Sequence, residues 1–144
     1  MKEKRLGIMI KIIHWHIDQA FNEFLKKDNL TISQARVIHY LCKHKDKDVV
    51  QRDIEKFFRV SNPTVSGILN RLEEKDFIVR MTSENDKRIK VVTLTEKALE
   101  LDDYLRNSLN NYEEEMMACL SQEEKNNLLD SMDKIINAMM NSKE

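Results

Sequence analysis

The sequence predicts a mainly α-helical fold that carries one small β-hairpin. Gly (2) and Pro (1) are scarce among the 144 residues, whereas an average protein contains about 12% of the two together. This scarcity argues against turn-rich β-sandwiches and barrels, and against the glycine-rich loops that hold nucleotide phosphates. Apolar residues recur at three- and four-residue spacing over most of the chain, which is typical of amphipathic helices. Two short β-branched runs that flank a polar segment predict the hairpin.

The first predicted helix runs from about Leu6 to Lys27 and has an unusually wide apolar surface. One apolar strip runs from Leu6 to Leu25 at three- and four-residue spacing, and Ile8, Ile12 and Trp15 form a second strip. This width predicts burial on two sides, against the rest of the fold and against a partner chain. No apolar run reaches the ~18 residues that a membrane span needs. The start of the chain does not have the pattern of a signal peptide either.

The next two predicted helices are short. Thr31 and Gln34 have the spacing of a capping box, in which each side chain bonds to the backbone of the other residue, and they open the second helix. The third helix covers about residues 49–58. Asp48 is its expected cap, and Phe57 is expected among its inward-facing residues.

A turn of about four residues leads into the fourth predicted helix, which runs to about Asp76. Ser61 or Asn62 is its N-cap. Pro63 suits the first turn, where no intrahelical amide bond is lost. Two helices joined by such a turn form the helix-turn-helix pattern.

The predicted hairpin follows directly, since residues 77–82 and 91–94 are β-prone and flank a polar loop. A helix-turn-helix followed by a hairpin is a winged helix. Thr95 then caps a long fifth helix. A second capping box, formed by Ser121 and Glu124, opens the sixth helix.

The fourth helix has one apolar face and one face suited to DNA. Its apolar residues between Val65 and Leu72 fall within one arc, and the opposite face is small, polar and uncharged or basic. Short side chains allow close approach, Asn can pair with adenine, and hydroxyl groups can meet bases or phosphates. An ordinary solvent-exposed helix, the alternative, would carry more Glu and Lys. The predicted major-groove residues are Ser61, Asn62, Pro63, Thr64, Ser66, Gly67, Asn70 and Arg71.

The hairpin loop, residues 83–90, gives a second signal for DNA. It carries cations close to its tip, and a basic β-loop can reach the minor groove, where the negative potential favours Arg. Asp86 lies two residues from Arg88 and can pair with its guanidinium and pre-orient it. A solvated turn is the alternative. The predicted wing contacts are Asp86, Lys87, Arg88 and Lys90.

The net charge of −1 hides an uneven distribution. Residues 1–33 carry +2, residues 34–90 carry +4 and residues 91–144 carry −7. The positive charge therefore lies in the segment that would meet phosphate.

These features together resemble the MarR family of winged-helix transcriptional regulators over essentially the whole chain. The most specific match is the combination of an Asp-x-Arg wing, a strand and a Leu-Thr pair that opens the next helix. Gly67 departs from the family, because many members carry Arg or another larger residue there. The matching stretches are residues 30–34, 60–66, 69–78 and 86–97.

The resemblance implies a homodimer that binds double-stranded DNA at a palindromic operator and represses transcription by covering a promoter. The lack of a signal-peptide pattern and of a disulfide framework predicts a cytoplasmic protein. Its two recognition helices would meet half-sites ~34 Å apart. A small aromatic or anionic ligand in a cleft beside the dimerisation helices would release it, with Trp15, His16 and His39 as candidate lining residues; packing is the alternative role for each. The implied domains are an N-terminal dimerisation helix at 1–30, a winged helix-turn-helix at 31–95 and C-terminal dimerisation helices at 96–144.

No cofactor, metal site or catalytic residue is predicted. His14 and His16 are two residues apart, so they point to different faces of a helix. Cys42 lies on an apolar stripe, where burial would raise the pKa of its thiol and make it inert as a redox sensor. Cys42 and Cys119 are expected to be reduced. An enzyme and a winged-helix interaction module without DNA binding are the competing functions.

Overall fold

The computed structural model describes residues 4–142, and within that range the fold is helical with one hairpin, as predicted. The two strands pair antiparallel, with Arg80 opposite Val92. A 3₁₀ turn, Lys26–Asp28, follows the first helix. The helices are α1 (Leu6–Leu25), α2 (Ile32–Lys43), α3 (Gln51–Phe58), α4 (Asn62–Glu74), α5 (Glu96–Met116) and α6 (Gln122–Asn141), and the strands are β1 (Ile78–Thr82) and β2 (Lys90–Leu94).

The chain forms two compact units. The first ends at Leu109 and the second begins at Asn110, so that the boundary falls within α5. The first unit contains α1 to α4 and the hairpin, whereas the second contains α6. The predicted three-part division of the chain stays a prediction, and its outer limits, residues 1 and 144, lie outside the described residues.

The first unit has a hydrophobic core to which most of its elements contribute. Leu25, Ile38, Ile54, Leu69 and Phe77 are each at most 1% exposed and come from α1, α2, α3, α4 and the start of the hairpin. Burying one such side chain contributes about 1.5–3 kcal/mol relative to leaving it in water. This core therefore fixes α4 and the hairpin relative to each other.

Three predicted helix starts are confirmed. The Thr31 hydroxyl accepts a hydrogen bond from the Gln34 backbone at 3.2 Å, and the Gln34 side chain accepts one from the Thr31 backbone at 3.1 Å. Ser121 and Glu124 form the same reciprocal pair at 3.2 and 2.8 Å. The Thr95 hydroxyl accepts from the third residue of α5 at 3.4 Å. These caps satisfy amides that a helix start leaves unpaired.

The prediction for the start of α3 was wrong. The helix begins at Gln51, and Asp48 does not cap it. Instead the backbone N–H of Val50 donates to the Asp53 carboxylate at 3.0 Å. Residues 49 and 50 are extended because they pair with the hairpin: the Val49 carbonyl accepts from Val92, and Val50 forms a bridge with Val91.

The expected inward position of Phe57 was also wrong, since this side chain is 61% exposed. In the two-turn helix α3 the buried residue is Ile54. Phe57 instead lies at the rim, with its ring 4.5 Å from the ring of Tyr40. Two helices also end earlier than predicted: α1 gives way to the 3₁₀ turn after Leu25, and α4 ends at Glu74, before Asp76, which has a positive φ of 60°.

The helices α1 and α6 both carry uncovered apolar residues. In α1 the exposed set includes Ile8, Ile12 and Trp15, which are 52%, 55% and 57% exposed. None of the residues of α6, all of which the structure describes, is buried, although Ile136 and Met140 belong to an apolar stripe. No helix among residues 4–142 combines the length and the apolar character that a membrane span requires.

Candidate nucleic-acid interface

The recognition helix α4 separates an apolar face from a polar one, as predicted. Val65, Leu69 and Leu72 are completely buried on the core side. Of the two residues predicted as the N-cap, Ser61 and Asn62, the structure has Ser61. The Ser61 hydroxyl lies 2.9 Å from the Thr64 hydroxyl. The predicted contact residues that are exposed on the outer surface are Ser61, Asn62, Pro63, Thr64, Gly67, Asn70 and Arg71.

Ser66, the remaining predicted residue of α4, is partly covered by α3. Its hydroxyl accepts a hydrogen bond from the Gln51 side-chain amide at 2.8 Å. Gln51 also donates to the Glu55 carboxylate at 3.1 Å, and the Asn62 amide donates to the same oxygen at 2.7 Å. Gln51 and Glu55 were not predicted as site residues. Their spacing of four residues, which places both on one helix face, is the sequence signal for this pair.

A second polar cluster joins α4 to the hairpin. The Arg80 guanidinium, on β1, donates to both carboxylate oxygens of Glu73 at 2.9 and 3.1 Å, and to the Asn70 side-chain oxygen at 2.7 Å. This bidentate hydrogen bonding holds the pKa of the Glu73 carboxyl below its usual value and raises that of Arg80. Arg80 was not predicted as a site residue, because only the fold brings β1 beside α4.

Within the wing, which is the hairpin over residues 78–94, the predicted pairing of Asp86 with Arg88 is confirmed. The Arg88 side chain donates to the two Asp86 oxygens at 3.2 Å each, and its backbone N–H donates at 3.0 Å. The side-chain hydrogen bonds, followed by the backbone one, lower the pKa of the Asp86 carboxyl. The Arg88 side chain is nonetheless 89% exposed. Lys87 and Lys90 are also exposed.

Gly67 leaves open space on the outer face of α4. A Cβ placed on this residue has no heavy atom within 4 Å outside its own helix backbone and chain neighbours. Gly67 lies one turn from Thr64 and from Asn70, so the space adjoins two predicted DNA contacts. The recognition helix can therefore bring its backbone close to a partner surface here.

The three candidate ligand residues lie on two helices. Trp15 and His16 are exposed on α1 with their ring centroids 4.8 Å apart. His39 is on α2, where its Nδ1 atom lies 2.9 Å from a carboxylate oxygen of Asp102. Their assignment to a ligand cleft stays a prediction.

The Cys42 thiol has the raised pKa that its position on an apolar stripe predicts. Burial, followed by the nearby charge of Asp102, raises the pKa of the Cys42 thiol to about 12. At neutral pH this group is a thiol rather than the thiolate that reacts with oxidants. Among residues 4–142, no group of three or more His, Cys, Asp or Glu side chains is arranged to hold a metal ion.

A recognition helix whose outer face is polar and either uncharged or basic, next to a wing with a braced arginine, defines a winged-helix DNA-binding protein. A sequence model described as the MarR family matches residues 28–89. The regulator YwoH of Bacillus subtilis is 33% identical over 109 residues, which cover 76% of this chain and 77% of YwoH. MgrA of Staphylococcus aureus is 31% identical and covers 85% of this chain and 81% of MgrA. The chain belongs to the MarR family of helix-turn-helix transcriptional regulators.

Solved structures agree with this assignment. The S. aureus MepR–DNA complex is similar with a TM-score of 0.76 and 26% identity, and the match covers 92% of this chain and 98% of MepR. MarR from Oenococcus oeni is 32% identical with a TM-score of 0.64, over 92% of this chain and 99% of the other. The protein is thus a DNA-binding transcriptional regulator, and its family consists of regulators rather than enzymes.

Proposed function

We propose that the protein is a homodimeric repressor that reads a palindromic operator with the outer face of α4 and inserts Arg88 of the wing into the minor groove. The observation that carries this proposal is the contrast on α4 between three completely buried apolar residues and an outer face of small polar ones. The similarity to MepR, whose complex with DNA has been solved, supports the same use of the fold.

Each part of the interface has a distinct task in this proposal. The hydroxyl of Thr64 and the amides of Asn62 and Asn70 lie where they can contact base edges in the major groove. The first turn of α4 also places its amide dipoles toward phosphate. Arg88, held by Asp86, is presented to the narrower groove, where the negative potential is strongest.

The uncovered apolar residues support the homodimer. Exposed apolar side chains on α1 and, separately, on α6 belong to regular helical stripes, which a soluble helix normally buries. Apolar surface contributes about 25 cal/mol per Å² when it is removed from water. A second copy of the chain that covers these stripes would gain this free energy on both sides of the interface.

Selection of bound duplexes from a random pool tests the operator and the dimer together. We expect inverted half-sites whose centres lie about 10–10.5 base pairs apart, and a dimeric mass by light scattering. The substitution Ile12→Glu on the exposed face of α1 should shift the mass toward a monomer and weaken binding. Gln19→Glu, at an exposed polar position of α1, is the matched control. A single half-site bound by a monomer would refute the dimer.

Release by a small aromatic or anionic ligand is the remaining part of the proposal. A ligand shifts the protein off DNA only by as much as it prefers the unbound arrangement of the two recognition helices. The exposed ring of Trp15 provides a direct readout, because a ligand beside it should change its fluorescence. A screen of benzoate-type acids should find compounds that both change Trp15 fluorescence and release the duplex. Release that Trp15→Phe leaves unchanged would place the ligand elsewhere.

A further inference from the structure

We propose that Arg80 fixes the side-chain amide of Asn70 so that Asn70 meets DNA as a hydrogen-bond donor. Arg80 is then a positioning residue, and Asn70 contacts DNA through its amino group. This inference deepens the proposed function and rests on it, since it requires that the outer face of α4 meets DNA. It differs from the expectation that an Asn on this face pairs with adenine.

The chemistry of the partner decides which end of the Asn70 amide faces Arg80. The oxygen and nitrogen of an amide are hard to tell apart by shape, so their placement follows from the hydrogen-bond network. A guanidinium has five N–H donors and no acceptor. The group 2.7 Å from Arg80 Nη2 must therefore be the Asn70 oxygen, and the amino group of Asn70 points to the other side.

Arg80 is well placed to hold this orientation. Its side chain is only 23% exposed and grips Glu73, the residue one turn beyond Asn70, through two parallel hydrogen bonds. Its backbone lies in β1 opposite Val92, which is 5% exposed. The guanidinium is thus fixed both by the sheet and by α4, whereas Asn70 itself is exposed on the outer face.

This arrangement leaves Asn70 suited to acceptors. An Asn that reads adenine accepts a hydrogen bond from the N6 amino group and donates one to N7. Here a positive guanidinium already lies at the Asn70 oxygen, so an approaching base donor would be repelled there. The free amino group favours an acceptor, which is either a purine N7 atom or a phosphate oxygen.

The substitution Asn70→Asp tests the donor role directly. Asp keeps an oxygen for Arg80 but replaces the outward amino group by an anionic oxygen. Binding to the duplex that the wild-type chain selects should weaken by roughly tenfold or more. Asn107→Asp, which makes the same charge change at an exposed position of α5, is the matched control. Unchanged affinity of Asn70→Asp would overturn the proposal.

The substitution Arg80→Met tests the positioning role. Met fills a similar length without donating, so that the Asn70 amide becomes free to turn. We expect the sequence preference at one base pair of each half-site to broaden toward adenine, while the slope of log affinity against log salt stays that of the wild type. A uniform loss of affinity with an unchanged preference would mean that Arg80 only supports the fold. If Arg80→Met does not fold, Arg80→Gln, which lacks the fork that spans Glu73 and Asn70, serves the same purpose.

Modified duplexes identify the acceptor. Replacement of single purines by their 7-deaza analogues removes N7, and methylphosphonate linkages remove the charge of single phosphates. One modified position should weaken binding of the wild-type chain but not binding of Asn70→Ala. The donor role is supported whether that position is a 7-deaza purine or a methylphosphonate linkage. Suppose instead that the wild-type chain binds the duplex and yet loses as much affinity as Asn70→Ala with every modification. In that case the inference fails and the proposed function stands. If the wild-type chain binds no duplex, both fail.

Discussion

The recognition helix and the wing hold their polar groups in different ways. In α4 the outward side chains are tied to neighbouring elements: Asn62 to α3 through Glu55, and Asn70 to β1 through Arg80. In the wing, Arg88 is 89% exposed and its described ion-pair partner is Asp86, two residues away. The helix is therefore pre-organised by the whole winged helix, whereas the wing arginine is pre-organised only by its own loop.

This difference separates the effects that substitutions should have. Changes in or around α4 alter either the stability of the fold or the sequence preference, because its polar groups belong to networks that cross between elements. Changes of exposed side chains in the wing loop, residues 83–90, alter the affinity for DNA and leave the fold intact.

The largest effect is expected for Leu69→Ala in α4. Leu69 is completely buried, and removing such a side chain costs about 2–5 kcal/mol of the free energy of unfolding because it leaves a cavity. Ile89→Ala in the wing is the comparison, since Ile89 is 41% exposed and should change stability by less than about 1 kcal/mol. Urea denaturation measures both values. Similar losses in the two variants would contradict the separation.

A smaller effect, confined to binding, is expected for Arg88→Ala. Binding to the selected duplex should weaken by about 1–3 kcal/mol. The melting temperature should change little, because the Arg88 side chain is almost fully exposed and an exposed ion pair contributes little to stability. Fluorescence anisotropy measures the affinity, and Lys47→Ala, at an exposed position outside the predicted DNA contacts, controls for the loss of one exposed charge. An effect of Arg88→Ala no greater than that of Lys47→Ala would exclude a specific role in the groove.

Gly67→Ala should stabilise the fold slightly. The added methyl group meets no atom within 4 Å, and Ala is favoured over Gly inside a helix by about 0.5–1 kcal/mol. The melting temperature should therefore rise. If the open space at Gly67 faces DNA closely, the same variant should bind the duplex more weakly. Gly7→Ala in α1 has the same free space and is the control, because it should leave DNA binding unchanged.

The smallest effect concerns the titration of Asp86. Its pKa lies below the ordinary value of 3.8 because Arg88 donates to the carboxylate. The stabilisation from this pair is therefore complete above pH 3.8 and is lost as the pH falls through the lower pKa of the folded state. Carboxyl carbon NMR should report this lowered pKa, and Arg88→Ala should return it toward 3.8. If Arg88→Ala leaves the pKa of Asp86 unchanged, the pairing is contradicted.

Features that depend on a few neighbouring residues were predictable from the sequence. The capping boxes at Thr31 and Ser121 and the pairing of Asp86 with Arg88 join residues two or three positions apart. The helical period likewise separated the buried face of α4 from its polar face, because it needs only the spacing of Val65, Leu69 and their neighbours.

Features that depend on contacts between elements were not predictable. The link from Arg80 to Asn70 joins residues ten positions apart on a strand and a helix, and the link from Gln51 to Ser66 spans fifteen. Residues 49 and 50 lie outside α3, although they were predicted to be helical, because they pair with β2. In each case tertiary structure supplied a partner that local spacing does not specify.

We propose that the outer face of α4 and the wing together form an interface for duplex DNA. The most direct test is the affinity of the wild-type chain for its selected duplex, measured by anisotropy over a series of salt concentrations. Because Lys and Arg side chains that bind phosphate release counterions from the DNA, log affinity should fall linearly with log salt concentration. The slope should be shallower by about one in a variant that has lost a single phosphate contact. Binding that is absent, or that does not change with salt, would contradict the claim.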